Sequence, residues 1–182
     1  MMKVELHCHL DGSLNLTFVD EMLRKQGMVY DAEELKRKLE VQPDCTSLSE
    51  YLEKFNLPLR CLQTQEGLKR AAYELVRDVS KEGVRYIEVR FAPMLSTEQG
   101  LTSGEVIESV VEGLQEAEAE IDVFASAIVC AMRHHSLEQN LQMLESARPF
   151  MGKGVCALDL AGDESAFPTA LFREFFIKAK EW

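Results

Sequence analysis

Hydrophobic and polar residues alternate at the start of the chain, and this pattern predicts a β-strand from Val4 to Leu10. Successive side chains on a strand point to opposite faces, so the apolar and polar residues separate onto two sides. The apolar set is Val4, Leu6, Cys8 and Leu10, and the polar set is Glu5, His7, His9 and Asp11. The sequence therefore predicts that two imidazoles and two carboxylates converge on one face.

Three further strand-like segments follow, at about residues 84–92, 123–131 and 155–161. Segments with helical spacing separate them, such as the apolar stripe within residues 65–82. Several predicted helices begin with capping pairs, in which a side-chain oxygen and an acidic residue three positions later bind backbone N–H groups. These pairs are Asp31 with Glu34, Ser47 with Glu50, and Thr102 with Glu105. The alternation predicts an α/β fold with a parallel sheet and crossover helices.

The segment from about residue 27 to residue 64 is longer than a simple connection requires. It contains two predicted short helices and ends in Asn56, Leu57 and Pro58. We interpret it as a helical insertion after the first strand, within one domain covering residues 1–182. Long insertions at this place in a barrel usually build part of the substrate site, so we expect a lid over a pocket.

The charge balance narrows the range of partners. The chain has 20 basic and 31 acidic residues, for a net charge of −11. Nucleic acids and anionic membranes carry the same sign, so neither is an expected partner. A small neutral or cationic ligand fits the composition better.

The cysteines and the apolar runs bear on location. The five cysteines, at positions 8, 45, 61, 130 and 156, show no paired spacing, which favours reduced thiols over a disulfide framework. The N-terminus lacks the basic and apolar regions of a secretory signal, and no apolar run is long enough to span a bilayer. We therefore expect a cytoplasmic protein.

Candidate chemistry collects where the predicted strands end. His7 and His9 are a plausible half of a zinc or similar divalent-metal site, because imidazole nitrogen suits such metals. The alternative is a pair of satisfied buried histidines or a polar face in solvent. Glu88 and Arg90 share a strand face and are expected to form an ion pair, structural or catalytic.

Two further polar groups stand at the ends of the third and fourth strands. The group Arg133, His134 and His135 precedes Ser136, a predicted helix cap. It is interpreted either as polar loop residues at the start of a helix or as a group with a direct metal role. Gly162 follows the fourth strand and is either a turn residue or a position where a ligand approaches the backbone.

Five ordered blocks along the chain together resemble the adenosine deaminase family. They are Val4 to Ser13, Ser47 to Phe55, Glu82 to Pro93, Cys130 to His134, and Leu158 to Glu164. The resemblance covers essentially the whole chain. It implies a zinc-dependent TIM-type (β/α)₈ barrel and a hydrolase of purine salvage that converts adenosine or 2′-deoxyadenosine to inosine or deoxyinosine and ammonia.

The resemblance also implies roles for individual residues. His7 and His9 would be zinc ligands, and His9 would also lie against the substrate. Asp11 would hydrogen-bond the ribose 5′-hydroxyl, and the Gly162 backbone amide would donate to the purine ring. The block from Ala161 to Glu164 favours a nucleoside over free adenine.

The chain departs from the family in what it lacks. The family carries a His-Ala-Gly-Glu block with a third zinc histidine and a proton-donating glutamate, then a further histidine and an aspartate pair, and none is present here. We therefore expect the N-terminal half of a barrel, about four βα units, with no catalytic acid or base and no deaminase activity alone. Unpaired sheet edges predict self-association.

Two alternatives stay open. The first is another deaminase on the same barrel, acting on adenine or a methylated adenine nucleotide. The second is a non-catalytic half-barrel that assembles with a partner supplying the remaining strands.

Overall fold

The computed structural model describes residues 1–181, apart from the side chains of Leu48 and Ser49. Trp182, at the end of the predicted C-terminal helix, lies outside the described residues. Four strands form one sheet: β1 Lys3–His9, β2 Val84–Phe91, β3 Phe124–Met132 and β4 Val155–Ala161. The sheet order is β1-β2-β3-β4, and every neighbouring pair is parallel. This confirms the predicted α/β class.

Eight α-helices connect and cover the strands in the described part of the chain. They are α1 Leu16–Lys25, α2 Ala32–Leu39, α3 Leu48–Glu53, α4 Asn56–Cys61, α5 Gln65–Lys81, α6 Ser103–Glu120, α7 Leu137–Ala147 and α8 Arg173–Lys180. Short 3₁₀ turns span Pro93–Ser96, Arg148–Phe150 and Thr169–Phe172. Each of β1 to β4 is thus followed by helix, as parallel strands require.

The predicted caps begin their helices. Asp31, Ser47 and Thr102 each accept a hydrogen bond from the backbone N–H three residues later. Ser136 does the same at the start of α7. These oxygens satisfy N–H groups that have no partner within the helix, which is why the helices start at these residues.

The run Asn56, Leu57, Pro58 was expected to end a helix, and that prediction is wrong. It forms the first turn of α4, so residues 27–64 contain three helices rather than two. Proline lacks an N–H and breaks a helix interior, but the first-turn N–H groups have no intrahelical partner to lose.

The core lies between the sheet and its helices. From β2, the side chains of Ile87, Val89 and Phe91 are buried. They join the predicted apolar stripe of α5, including Leu68 and Val76, in one cluster. The opposite face of β2 therefore faces the open side of the sheet, where Glu88 and Arg90 lie.

The strict alternation predicted for β1 is wrong in its middle. The pairing of β1 with β2 is irregular between Lys3 and Val4 and again between Glu5 and Cys8. Such a bulge shifts the phase of the side chains that follow. Val4 and Leu6, which were predicted to lie on a covered apolar face, are each 58% exposed.

Two expectations behind the predicted location, the lack of a membrane span and the reduced cysteines, can be compared with the structure. No helix among the described residues is both long and apolar enough to cross a membrane. Within the same part of the chain, all five cysteines are free thiols.

Candidate functional site

The carboxyl ends of the four parallel strands meet at one edge of the sheet, and His7 and His9 lie there. Their ring centroids are 5.3 Å apart, with the planes tilted by 51°. The bulge in β1 has therefore not separated them. Two imidazoles at this spacing can offer nitrogen atoms to a common ligand.

His9 is the better buried of the two histidines. Its Nδ1 lies 3.5 Å from Nη1 of Arg90 and 3.9 Å from Oδ1 of Asp11. Burial and the Arg90 guanidinium lower the pKa of His9, and they outweigh the opposing effect of Asp11. The imidazole is therefore neutral near pH 7, which is the form that binds metals.

Arg90 connects three strands beneath this edge. Its Nε donates to Oδ2 of Asp159 at 3.1 Å, and its Nη2 donates to Sγ of Cys130 at 2.6 Å. Burial raises the pKa of the Cys130 thiol to about 12, so it is a neutral acceptor here. The arginine is 5% exposed, and these contacts give its Nε and Nη2 groups acceptors within the protein.

The predicted ion pair between Glu88 and Arg90 is wrong. Glu88 instead accepts a hydrogen bond from the hydroxyl of Tyr86 at 2.8 Å. The long arginine side chain instead reaches across β3 to Asp159, with its Nε 3.1 Å from Oδ2.

Asp11 stands just beyond β1 and is 8% exposed. Its Oδ1 is buried and has no hydrogen-bond partner among the described residues. Burial raises the pKa of Asp11, although Arg90 and His9 act in the opposite direction. A buried carboxylate oxygen without a donor is a site where a ligand hydroxyl can bind.

A cleft of about 710 Å³ opens over this edge of the sheet. His9, Asp11 and Arg90 line its floor, and Gly162 lines one side. This volume is within the range of small-molecule sites. The sequence-predicted substrate residues His9, Asp11 and Gly162 are thus brought to one cavity.

The helices of the 27–64 segment form another wall of the cleft. Tyr51, Leu52 and Phe55 line it, and the rings of Tyr51 and Phe55 meet edge to face at 5.4 Å. The wall is apolar, so it suits a flat aromatic ligand. Whether this segment closes as a lid stays a prediction.

The two histidines after β3 differ in position. His134 lines the cleft, whereas His135 packs against His134 with ring centroids 4.4 Å apart. The lowered pKa of His135 follows from burial and from the charge of His134.

Two residues of the site were missed as site residues in the sequence. Asp159 and Cys130 contact Arg90 from β4 and β3. The signal for Asp159 was present, since it is a lone carboxylate in an apolar strand. Cys130 carries no such signal, because a buried cysteine resembles any small apolar residue.

The donor set fits a divalent metal only in part. His7 and His9 place two imidazole rings side by side. Across the described residues, no group of three or more His, Cys, Asp or Glu side chains is arranged to hold a metal ion. Catalytic zinc sites use three protein ligands, so two histidines alone would be one ligand short of such a set.

Comparison with known families gives a match over almost the whole chain. The family model described as adenosine deaminase matches residues 2–181. A curated adenosine deaminase of Clostridium perfringens is 43% identical over 182 residues, covering 98% of this chain and 55% of that protein. The chain therefore spans about half the length of this relative.

Solved structures share the fold. A zinc-bound amidohydrolase from Burkholderia ambifaria has a TM-score of 0.86 at 18% identity, covering all of this chain and 50% of that one. An adenine deaminase from Arthrobacter aurescens has a TM-score of 0.84 at 23% identity, covering 98% and 54%. At these identities the likeness concerns the fold alone, and the four βα units correspond to half of such a TIM barrel.

Proposed function

Since this chain belongs to the adenosine deaminase family, we propose that it provides the metal-binding and nucleoside-binding half of an adenosine deaminase. The reaction replaces the 6-amino group of adenosine or 2′-deoxyadenosine with oxygen from water, and it releases inosine or deoxyinosine and ammonia. The observation that carries the proposal is the placement of His7 and His9 beside a cleft whose floor contains Asp11.

His7 and His9 would hold the zinc ion. When bound there, such a metal would supply a water of lowered pKa that can serve as the nucleophile near neutral pH. The chain would contribute the imidazole nitrogens of His7 and His9, whose ring centroids are 5.3 Å apart. Neutral imidazole matters because a protonated ring has no lone pair to donate.

Asp11 and Gly162 would orient the nucleoside. The unpartnered Oδ1 of Asp11 is suited to accept a hydrogen bond from the ribose 5′-hydroxyl. Gly162 has no side chain, so a purine edge can approach its backbone amide. The apolar wall at Tyr51, Leu52 and Phe55 would cover the purine face and exclude water.

No residue of this chain is assigned the proton transfers to the purine ring or to the leaving amine. We therefore propose that the 182-residue chain alone does not turn over adenosine. The absence of paired cysteines among the described residues suits a reducing compartment, and we propose that the protein acts in the cytoplasm.

Nucleoside binding can be tested without turnover. We would titrate the isotope-labelled chain with adenosine, adenine and AMP in the presence of zinc, following backbone amide resonances. The proposal predicts adenosine-dependent shifts at Asp11 and Gly162. Shifts confined to residues outside the cleft would contradict it.

The main alternative substrate is free adenine, because an adenine deaminase shares the fold. Adenine has no ribose, so its binding cannot depend on a contact to the 5′-hydroxyl. Asp11→Ala is expected to weaken adenosine binding by about 10-fold and to leave adenine binding unchanged. Equal losses for both ligands would remove the assigned role of Asp11.

Turnover is tested by measuring ammonia release with the chain alone and with the chain mixed with a C-terminal half. The chain alone should release no ammonia from adenosine with zinc present. A preparation containing the chain and the C-terminal half of the Clostridium perfringens relative is expected to gain activity. Activity of the chain alone would contradict the proposal that it supplies only the metal-binding and nucleoside-binding half. Zinc binding without any activity in the mixture would favour the non-catalytic assembly module.

A further inference from the structure

Arg133 anchors the loop that follows β4, and its contacts have no part in the function proposed above. The residue follows β3 directly, and its side chain is 8% exposed. Its Nη1 donates to the backbone oxygen of Phe167 at 2.8 Å, and its Nη2 donates to Oγ1 of Thr169 at 3.0 Å. A third contact joins Nη2 to Oε1 of Glu164 at 3.5 Å.

The segment these contacts hold, residues 162–169, is here called the β4 loop. Every residue from 162 to 171 is exposed, so burial of apolar side chains does not fix this segment. Within it, Oδ1 of Asp163 accepts hydrogen bonds from the backbone N–H groups of Ser165 and Ala166. Such local turns give the loop a shape, but they do not attach it to the sheet.

The attachment passes through Arg133 at two places. Its backbone N–H donates to the oxygen of Ala161 at 2.8 Å, at the end of β4. Its side chain lies against Gly162, where an added Cβ would be 3.3 Å from Cβ of Arg133. Gly162 has a φ of +112°, a conformation that only glycine adopts readily. The arginine therefore contacts the loop at its first residue and again near its end.

The loop also forms a wall of the cleft. Gly162, Asp163 and Phe167 line it, across from the apolar wall of the 27–64 segment. The position of this wall relative to the cleft floor depends on what connects the loop to β3. The structure provides a buried guanidinium for that connection.

We propose that Arg133 is a positioning residue for nucleoside binding, fixing the β4 loop so that the Gly162 backbone and Phe167 form one wall of the cleft. This rests on the proposed function only in naming the ligand. The planar guanidinium serves two separate acceptors with fixed geometry, which a lysine ammonium on a flexible stem does not reproduce. Arg133 acts through the loop and does not itself line the cleft.

The test uses Arg133→Lys and Arg133→Met in the 182-residue chain. Thr169→Val removes one acceptor and serves as a milder change on the loop side. Arg85→Met is the matched control, since Arg85 lies at the opposite end of the sheet and pairs with Asp122. Amide hydrogen exchange reports the loop, adenosine titration reports the cleft, and zinc titration reports His7 and His9.

Both Arg133 variants are expected to increase amide exchange in residues 162–169 and to weaken adenosine binding, each by about 10-fold or more. Thr169→Val should produce smaller changes in the same direction. Zinc affinity and exchange in β2 should remain as in the wild type, and Arg85→Met should leave all loop readouts unchanged. This separation distinguishes positioning from a general loss of stability.

The proposal is overturned if Arg133→Lys retains wild-type exchange in the loop and wild-type adenosine affinity. It is also overturned if exchange rises equally in the loop and in β2. If the wild-type chain binds no adenosine, the proposed function fails, and loop exchange in the variants still decides whether Arg133 holds the loop.

Discussion

Arg90 and Asp159 form an ion pair across the open face of the sheet, with Nε of the arginine 3.1 Å from Oδ2 of the aspartate. The strand between them, β3, contributes Cys130 to the same guanidinium. Burial acts to raise the pKa of Asp159, but the Leu160 backbone N–H and Arg90 outweigh it and hold that pKa below its usual value. The pair thus stabilises the floor on which His9 rests.

The first prediction concerns the stability that this pair contributes. Arg90→Met should lower the free energy of unfolding by about 2 kcal/mol, because it leaves Asp159 without its charged partner. The effect stays below that of a fully buried pair because the Asp159 side chain is 31% exposed. Urea denaturation measures it, with Arg85→Met as the control for removing an arginine. Equal losses of unfolding free energy in Arg90→Met and Arg85→Met would contradict a stabilising role for the Arg90–Asp159 pair.

The same pair predicts a pH dependence. The folded-state pKa of Asp159 is lowered, so its contribution is present above the unfolded pKa of about 3.9 and is lost as the pH falls through the folded value. The stability difference between wild type and Asp159→Asn should therefore shrink as a denaturation series moves below about pH 4. A stability difference that grows as the pH falls would contradict the lowered pKa of Asp159.

Asp11, whose pKa is shifted in the other direction, predicts the opposite behaviour. Its folded-state pKa is raised by burial, so the ionised form costs stability above the unfolded pKa of about 3.9. Asp11→Asn should stabilise the chain by about 1 kcal/mol near neutral pH. That advantage should disappear in acid, where the carboxyl is protonated in both states. Asp44→Asn, at an exposed position, is the control and should change little at either pH.

A stabilising Asp11→Asn would also show that this carboxylate is kept at a cost. Strained or unsatisfied groups persist at functional sites because the site needs them. A destabilising effect near neutral pH would mean that Asp11 has a partner in solution, and it would weaken the assignment of its oxygen to a ligand.

The open edge of the sheet predicts self-association. Val4 and Leu6 on β1 are each 58% exposed, and within residues 1–181 no strand pairs with the outer side of β1. Unpaired edges with apolar side chains favour contacts between chains. Sedimentation velocity should show a concentration-dependent increase in mass, stronger at higher salt because each chain carries a net charge of −11.

Leu6→Lys should reduce this association, because a charge on an edge strand opposes pairing. Val29→Lys is the matched control, since Val29 is 68% exposed, lies outside the sheet and undergoes the same change. A stable wild-type monomer at micromolar concentration, or equal effects of the two variants, would contradict the prediction.

Much of the fold could be predicted from local patterns. The strand at residues 155–161 and the caps at Asp31, Thr102 and Ser136 agree with the structure, because each depends on neighbouring residues alone. The bulge in β1 could not be predicted, since it arises from pairing with β2. The α4 start at Asn56 was missed because proline is ambiguous between a helix end and a first turn.

The candidate site divides in the same way. His7, His9 and Asp11 are close in sequence, so strand geometry brings them together. The partner of Arg90 lies 69 residues away, on a strand that is not its neighbour. Sequence spacing does not show whether Arg90 pairs with Glu88 or with Asp159. The answer depends on how far the arginine side chain reaches across the folded sheet. Arg133 was linked to metal chemistry by its neighbours, whereas in the structure its side chain binds residues of the β4 loop.

The central claim is that His7 and His9 together hold a divalent metal at the edge of the cleft, and metal titration of the 182-residue chain tests it most directly. Cobalt is added with absorbance recorded, and zinc is then used to displace it, for the wild type and for His7→Ala, His9→Ala and His134→Ala. The wild type should bind one weakly held metal with a nitrogen-ligand spectrum. Either change at His7 or His9 should cost at least about 10-fold in affinity, while His134→Ala should bind as the wild type does. Retained affinity in both His7→Ala and His9→Ala, or loss only in His134→Ala, would contradict the account.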